Sequence, residues 1–402
     1  MYDMMDGVRV IEVAEHTFVP AAGTVLADWG ADVIKVERTQ GGGDAARHMA
    51  IIAQPGLKRN GFFEVANRGK RSIALDLREA AGLSCLLKLV DEADVFLTSL
   101  RGEARAKLGI DAEDLMARNP RLIYARGTGY GTRGPMASRG GFDYPSSWCR
   151  AGASFAQSSG ALPPPQQPGS VGDLSGGATL AGAIAAALFR RERCGKGALV
   201  DHSLYAMGAY IMTQSLASAS LSGQTLNSPR PSKRRVDHPL VRLYRTRDDR
   251  WLCLCLLMDR WFADLARRIG REDLLQDERF KDEKSKIANS EALQNALEET
   301  FRKRTLNEWC GILAEMEGVW DPCLSPVEVI HDEQALANGF VVPVDDGEDG
   351  YLAAAAPGQF DGRAVGLLKA SPMHGEHSEA VLKEVGYDDA AVARLRQDGV
   401  LI

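Results

Sequence analysis

Nothing in this 402-residue sequence is spaced to hold a metal or a disulfide framework. The seven cysteines, Cys85, Cys149, Cys194, Cys253, Cys255, Cys310 and Cys323, are odd in number and never form a CxxC pair, which fits reduced thiols. The seven histidines show no HxxxH or HxH spacing, so no metal is expected. The longest apolar run, 176–189, falls short of the ~20 residues that cross a bilayer, and no membrane partner is expected. The acidic start, Met-Tyr-Asp-Met-Met-Asp-Gly, has neither the charged nor the apolar region of a signal peptide, which points to the cytoplasm. There is no basic arm: 48 Lys and Arg against 54 Asp and Glu give a net charge of −6, interleaved along the chain, and a nucleic-acid partner is not expected. No GxSxG elbow and no internal repeat occur. Glycine, by contrast, is abundant: 41 residues, above the usual ~7%.

Hydrophobic residues at 45% and charged residues at 25% are globular proportions. Along the first part of the chain, strand candidates (8–13, 33–37, 72–77, 95–98, 122–127) alternate with helix-period segments (21–29, 79–91). That alternation predicts an α/β, Rossmann-like, doubly wound large domain with a parallel sheet. A buried small-residue helix over 174–191 and a strand-helix passage over 199–212 continue it. The stretch 223–238, with two prolines and four basic residues within Gly223–Arg235, reads as a linker. Beyond it, a hairpin around Asp248-Asp249 and helical patterns over 261–269 and 292–316 predict a smaller α+β domain over 239–321. A second linker is expected at 322–331. Residues 332–402 are expected to return to the large domain begun by 1–222. Pro163 to Pro165 read as a stiff surface loop.

Gly129-Tyr-Gly131-Thr-Arg-Gly134 matches GxGxxG, but Pro135 follows and no helix pattern opens there, so turn glycines are the better reading. Gly172-Asp173-Leu-Ser-Gly-Gly precedes the small-residue helix. Asp173 there is either an N-cap, accepting backbone N–H bonds, or a nucleophile. A carboxylate with a reference pKa near 3.9 is ionised at pH 7 without a separate base, and a helix start is expected to keep it so.

A series of motifs then accumulates in order: Asp6-Gly-Val-Arg-Val-Ile-Glu-Val, Leu26-Ala-Asp-Trp-Gly-Ala-Asp-Val-Ile-Lys-Val-Glu37-Arg38, Asn67-Arg-Gly-Lys-Arg-Ser-Ile-Ala-Leu-Asp-Leu77, Asn119-Pro-Arg-Leu-Ile-Tyr124, Gly129 to Pro135, Gly172-Asp173, Arg190 to Gly197, Tyr244 to Trp251 and Gly375-Glu-His377. With these the chain resembles the class III coenzyme A transferases over nearly its whole length. The resemblance implies an interlocked homodimer. It implies that coenzyme A moves from an acyl-CoA donor to a carboxylate acceptor, with Asp173 forming a mixed anhydride and then an aspartyl-CoA thioester. It implies no tightly bound cofactor, coenzyme A and acyl-CoA being substrates.

The resemblance also implies coenzyme A contacts at His16, Thr17, Arg38, Leu75, Arg78, Ser99, Leu100, Arg101 and Lys107. Lysine at 107, where arginine is common in the family, keeps the charge but loses the planar fork. Phe142, Asp143, Tyr144 and Trp148 are implied for the acyl pocket. A related branch, the α-methylacyl-CoA racemases, needs a base on each face of the α-carbon. Phe142 stands where that branch has histidine and cannot accept a proton, so the racemase is the alternative reading, and a coenzyme A-binding protein without catalysis a third. The small domain's glycine-rich loop of the formyl-CoA enzyme has no counterpart over 222–251, which disfavours formyl-CoA and oxalate. On this reading the glycines around Asp173 leave backbone bare for an approaching thioester.

Overall fold

A computed structural model describes residues 2–49, 59–158, 163–224, 238–348 and 350–402. The chain divides into two compact units, Met1–Pro229 with Asp332–Ile402, and Arg230–His331.

The first unit is built on a six-stranded sheet. Its elements run β1 (Arg9–Val13), α1 (Phe18–Asp28), β2 (Asp32–Glu37), α2 (Gly61–Asn67), β3 (Arg71–Ala74), α3 (Ala80–Asp91), β4 (Val95–Thr98), α4 (Gly102–Leu108), α5 (Ala112–Arg118), β5 (Ile123–Thr128), α6 (Ala153–Ala156), α7 (Val171–Cys194), β6 (Ala198–Ser203), α8 (Leu204–Ile211) and α9 (Thr213–Ser222). The strands lie in the order β3-β2-β1-β4-β5-β6 and every pairing is parallel. Period-two alternation sends Ile11, Ile34, Phe96 and Tyr124 to one face and Val10, Val33, Val95 and Ile123 to the other. The first face is covered by α3, α5 and the C-terminal helices Ser378–Glu384 and Asp389–Gln397, the second by α1 and α7. The chain winds from β1 outward to β3, then returns to place β4 on β1's other side. The carboxyl ends of β1 and β4 therefore flank the switch point, where such sheets hold ligands.

Residues 332–402 add a small sheet, with β10 (Val341–Asp345) between β11 (Tyr351–Ala354) and β12 (Leu368–Lys369). They also pin the main sheet's edge through Asp76 N–H to Val400 O at 2.9 Å.

The second unit carries an antiparallel sheet of β7 (Val241–Arg245), β8 (Trp251–Cys255) and β9 (Val319–Pro322). Its core is Tyr244, Leu252, Leu254, Phe262 and Trp309. The single helical pattern over 292–316 is two helices, Ser290–Phe301 and Leu306–Leu313, because Thr305 and Glu308 form a capping box that starts a new helix. The expected linker 322–331 holds the end of β9 and a turn of helix, Pro326–Val329, begun by a Ser325–Glu328 capping box. The expected linker 223–238 lies almost wholly outside the described residues.

Helix α7 starts earlier than the apolar pattern indicates and ends at Gly195, whose φ of +69° lets it close the helix in the left-handed region. Its 24 residues make it long and apolar enough to cross a membrane by length and composition, the one such helix among the described residues. Its inner face, Leu180, Ala181 and Ile184, is fully buried in the core shared with α1. The seven cysteines are free thiols, and no group of three metal-ligating side chains occurs among the described residues.

Candidate active site

Two cavities open along the carboxyl ends of the parallel strands. The first, about 590 Å³, is lined by Val13 and Ala14 at the end of β1, Glu37, Arg38 and Gly41 at and beyond the end of β2, Leu75 and Arg78 after β3, and Leu100 after β4. The second, about 720 Å³, is lined by His16, Phe18 and Val19 at the start of α1, Ser99, Leu100 and Arg101 after β4, Gly127 to Gly129 at the end of β5, Arg139, Phe142, Leu204 and Asp173. Glu15 and Leu100 line both, so the two spaces adjoin at the switch point.

Ten of the expected residues thereby gather on one sheet edge: Arg38, Leu75 and Arg78 on the first cavity, His16, Ser99, Arg101, Phe142 and Asp173 on the second, Leu100 on both, and Asp143 directly behind Asp173. Four do not. Thr17 is buried at the N-cap of α1 and lines neither cavity. Lys107 is exposed on α4 and lines neither, the helix turning it outward. Tyr144 is exposed, and Trp148 donates Nε1–H to Pro165 O at 3.4 Å, away from both spaces. The chain turns into one widened, π-helical turn at Tyr144–Cys149, which carries these two aromatics off the pocket wall.

Asp173 occupies the first turn of α7 but does not cap it. The cap comes from a distance: buried Asp143 accepts from Gly172 N–H at 3.0 Å and Asp173 N–H at 3.1 Å through Oδ2, while Ser147 and Gln167 donate to its two oxygens. The Asp173 carboxylate has no hydrogen bond or ion pair among the described residues. Burial first, and the neighbouring Asp143 charge second, push its pKa up to about 7. This corrects the expectation that a helix start keeps it ionised: the dipole's N–H groups are already taken by Asp143, and what remains around Asp173 is desolvation and a like charge.

The glycines beside Asp173 also have a different role from the expected one. A Cβ at Gly172 would lie 2.1 Å from Asp143 Oδ1 and 2.2 Å from Ser147 Oγ. At Gly176 it would lie 2.7 Å from the Phe18 ring, and at Gly177 2.6 Å from Ala21 Cβ. They let Asp143 and α1 reach the helix; they line packing contacts rather than open space.

Beneath the cavities lies a charge network that sequence patterns did not reveal. Lys35 Nζ stands 2.8 Å from Asp44 and 3.1 Å from Glu12, and Lys70 Nζ 2.7 Å from Glu12. Glu37 bonds Arg47 at 2.6 Å and accepts from Ser72 Oγ at 2.6 Å. Burial works against each charge. Even so, Glu12, Asp44 and Glu37 hold Lys35 above the usual lysine range, and Arg47 and Lys35 bring Glu37 down to about 2. Also missed were Arg105, Arg126 and Arg139 on the second cavity. Arg105 and Arg126 are both paired to Asp111, at 3.1 and 3.4 Å. Arg101 and Arg139 have no ion pair among the described residues. Arg126 lies within β5 and Arg101 and Arg105 follow β4, a position that becomes informative only once the strand order is known.

Residues 5–378 match the family described as CoA-transferase family III. The chain belongs to that family. It is 30% identical over 401 residues to (R)-2-hydroxy-4-methylpentanoate CoA-transferase of Clostridioides difficile, covering 99% of each chain. It is 28% identical over 401 residues to alpha-methylacyl-CoA racemase of Mus musculus, covering 99% of this chain and 97% of that one. A crystal structure of a CAIB/BAIF family protein from Brucella suis superposes with a TM-score of 0.82 at 30% identity, over 95% of this chain and 99% of that one.

Proposed function

We propose that this family III CoA-transferase moves coenzyme A between carboxylic acids with Asp173 as the nucleophile. The observation that carries the assignment is the unpaired, desolvated Asp173 carboxylate on the wall of the second cavity, at the switch point of the sheet. Its oxygen attacks the thioester carbon, the C–S bond breaks, and coenzyme A leaves as thiolate from a mixed anhydride. The thiolate returns to the aspartyl carbonyl and releases the first acid, and an acceptor carboxylate takes the coenzyme through a second anhydride. The first cavity accommodates the nucleotide end, with Arg38 and Arg78 at its mouth, and Arg101 supplies an uncompensated cation beside the path to Asp173. Phe18, Val19, Phe142 and Leu204 support an apolar acyl group. Phe142 in place of a base weighs against the racemase reading.

The reading includes an interlocked homodimer. Helix α9 buries no residue within the chain, and Tyr210 and Leu221 are 76% and 90% exposed, apolar area of the kind a partner covers. The free thiols fit a cytoplasmic setting.

Incubation with an acyl-CoA followed by hydroxylamine tests the nucleophile. Mass spectrometry is expected to find the hydroxamate on Asp173, formed only when the acyl-CoA is present. Label on another residue, or wild-type transfer rates in Asp173→Asn, would remove the assignment. A panel of acyl-CoA donors against carboxylates, 2-hydroxy-4-methylpentanoate among them, identifies the best pair.

A further inference from the structure

We infer that His16 is a second catalytic residue, donating a hydrogen bond from Nε2 to the carbonyl oxygen of the acyl group as Asp173 attacks; this rests on the transfer reaction proposed above. Three independent observations converge on it.

His16 has a φ of +68°, one of three non-glycine residues with positive φ among the described residues. Side chains with a Cβ rarely adopt that conformation, and where they do the surroundings must impose it. Here they do. His16 N–H donates to Asp44 Oδ1 at 3.1 Å, Asp44 is fixed by Lys35 at 2.8 Å, and Lys35 also donates to Ala14 O at 2.8 Å, two residues before the histidine. The turn after β1 is thus held by the buried charge network, and the imidazole is delivered to the cavity that Asp173 lines.

The ring is oriented. It stands edge-to-face on Phe142, with centroids 5.2 Å apart and an interplanar angle of 86°. Phe142 adjoins Asp143, which holds the first turn of α7. Two residues beyond His16, Phe18 packs over Gly176, one turn past Asp173. The start of α1 and the start of α7 therefore face one space.

Burial also selects the ring nitrogen. Nδ1 is buried with no hydrogen-bond partner among the described residues. Nε2 is therefore the nitrogen left to donate to a substrate in the cavity that His16 lines. In the step itself, the bond from Asp173 oxygen to the acyl carbon forms, the carbonyl π pair moves to oxygen and is held by Nε2–H, and on collapse the pair returns as the C–S bond breaks. The imidazole keeps its proton throughout, so no acid or base is consumed.

The test uses the full chain and the donor and acceptor pair that gives the highest wild-type rate. His16→Phe keeps an aromatic ring against Phe142 and removes the donor. It is expected to lower kcat by about 100-fold or more, with the KM for acyl-CoA and the Kd for free coenzyme A within about threefold, the ordinary behaviour of an interaction made only in the transition state. His16→Gln, whose amide N–H reaches the same region, is expected to recover at least about tenfold of that loss. Wild-type kcat in His16→Phe overturns the inference, as does a loss equal in both variants that tracks a weaker Kd, which would mark a binding contact. If the wild type moves coenzyme A and Asp173 is trapped while the His16 variants stay fully active, only this inference falls. If the wild type transfers nothing with any pair, the function proposed above falls and this falls with it.

Discussion

Two clusters of carboxylates, one buried and one half-buried at a cavity wall, sit within one sheet edge and behave in opposite ways. Around Lys35, the acids Glu12, Asp44 and Glu37 are matched by Lys35, Lys70 and Arg47 at 2.6 to 3.1 Å; the pairing holds Lys35 above its ordinary range and Asp44 and Glu37 below theirs, while burial brings Lys70 down to about 8. At the start of α7, Asp143 accepts from Gly172 and Asp173 N–H, Ser147 and Gln167, and Asp173 is left with burial and a neighbouring negative charge. The first cluster is chemically quiet and fixes backbone; the second concentrates reactivity on one oxygen pair. Desolvation alone does not make a nucleophile, since both clusters are desolvated. The uneven sharing of donors between Asp143 and Asp173 is what separates them.

The sharpest separation comes from neutralising Asp173. Asp173→Asn is expected to lower transfer by at least about 10⁴-fold, as loss of a nucleophile does, while making the fold more stable. The sign follows from linkage: a carboxyl whose folded pKa of about 7 lies above its ordinary value near 4 destabilises the fold increasingly as pH rises from about 4, and fully above about 7. The gain in melting temperature of Asp173→Asn over wild type should therefore grow from pH 4 to 7 and then level off. A gain that shrinks with pH would break the contrast. In the wild type, kcat/KM should rise with pH through an acid limb near 7.

Lys35→Met attacks the other cluster. Removing one partner of a buried pair strands Asp44 and weakens Glu12, and urea unfolding is expected to show a loss of about 3–5 kcal/mol. A neutral result would mean the network is not the scaffold described. Gly172→Ala drives a methyl into Asp143 and Ser147 and is expected to cost about 1–3 kcal/mol, with transfer falling as Asp143 is displaced. The smallest effect belongs to Asp143→Asn, which removes the like charge: the acid limb of kcat/KM should move below 7, burial keeping it above the ordinary carboxylate value.

Much of this was legible in order. Strand and helix alternation located β1, β2, α3, β4 and β5 to within a few residues, because side-chain periodicity is a local property. Asp173 was visible through the motif around it, and Arg38, Leu75, Arg78 and Ser99 to Arg101 through the resemblance. What could not be read was which residues meet. Asp44 bears no local mark, yet it holds His16 in place across 28 residues. Asp143, implied by the resemblance for the acyl pocket, lines neither cavity and instead caps a helix that begins 28 residues later. Tyr144 and Trp148 look like pocket aromatics and are turned aside by a π-helical turn.

By itself the sequence determined the α/β class, the parallel order of local elements and the family, since these depend on periodicity and on motifs short enough to read along the chain. The tertiary structure alone decided the raised pKa of Asp173, the purpose of its flanking glycines and the orientation of His16. Each of those depends on the dielectric, the donors and the free volume that distant segments bring to a point, and none of these quantities is carried by neighbouring residues.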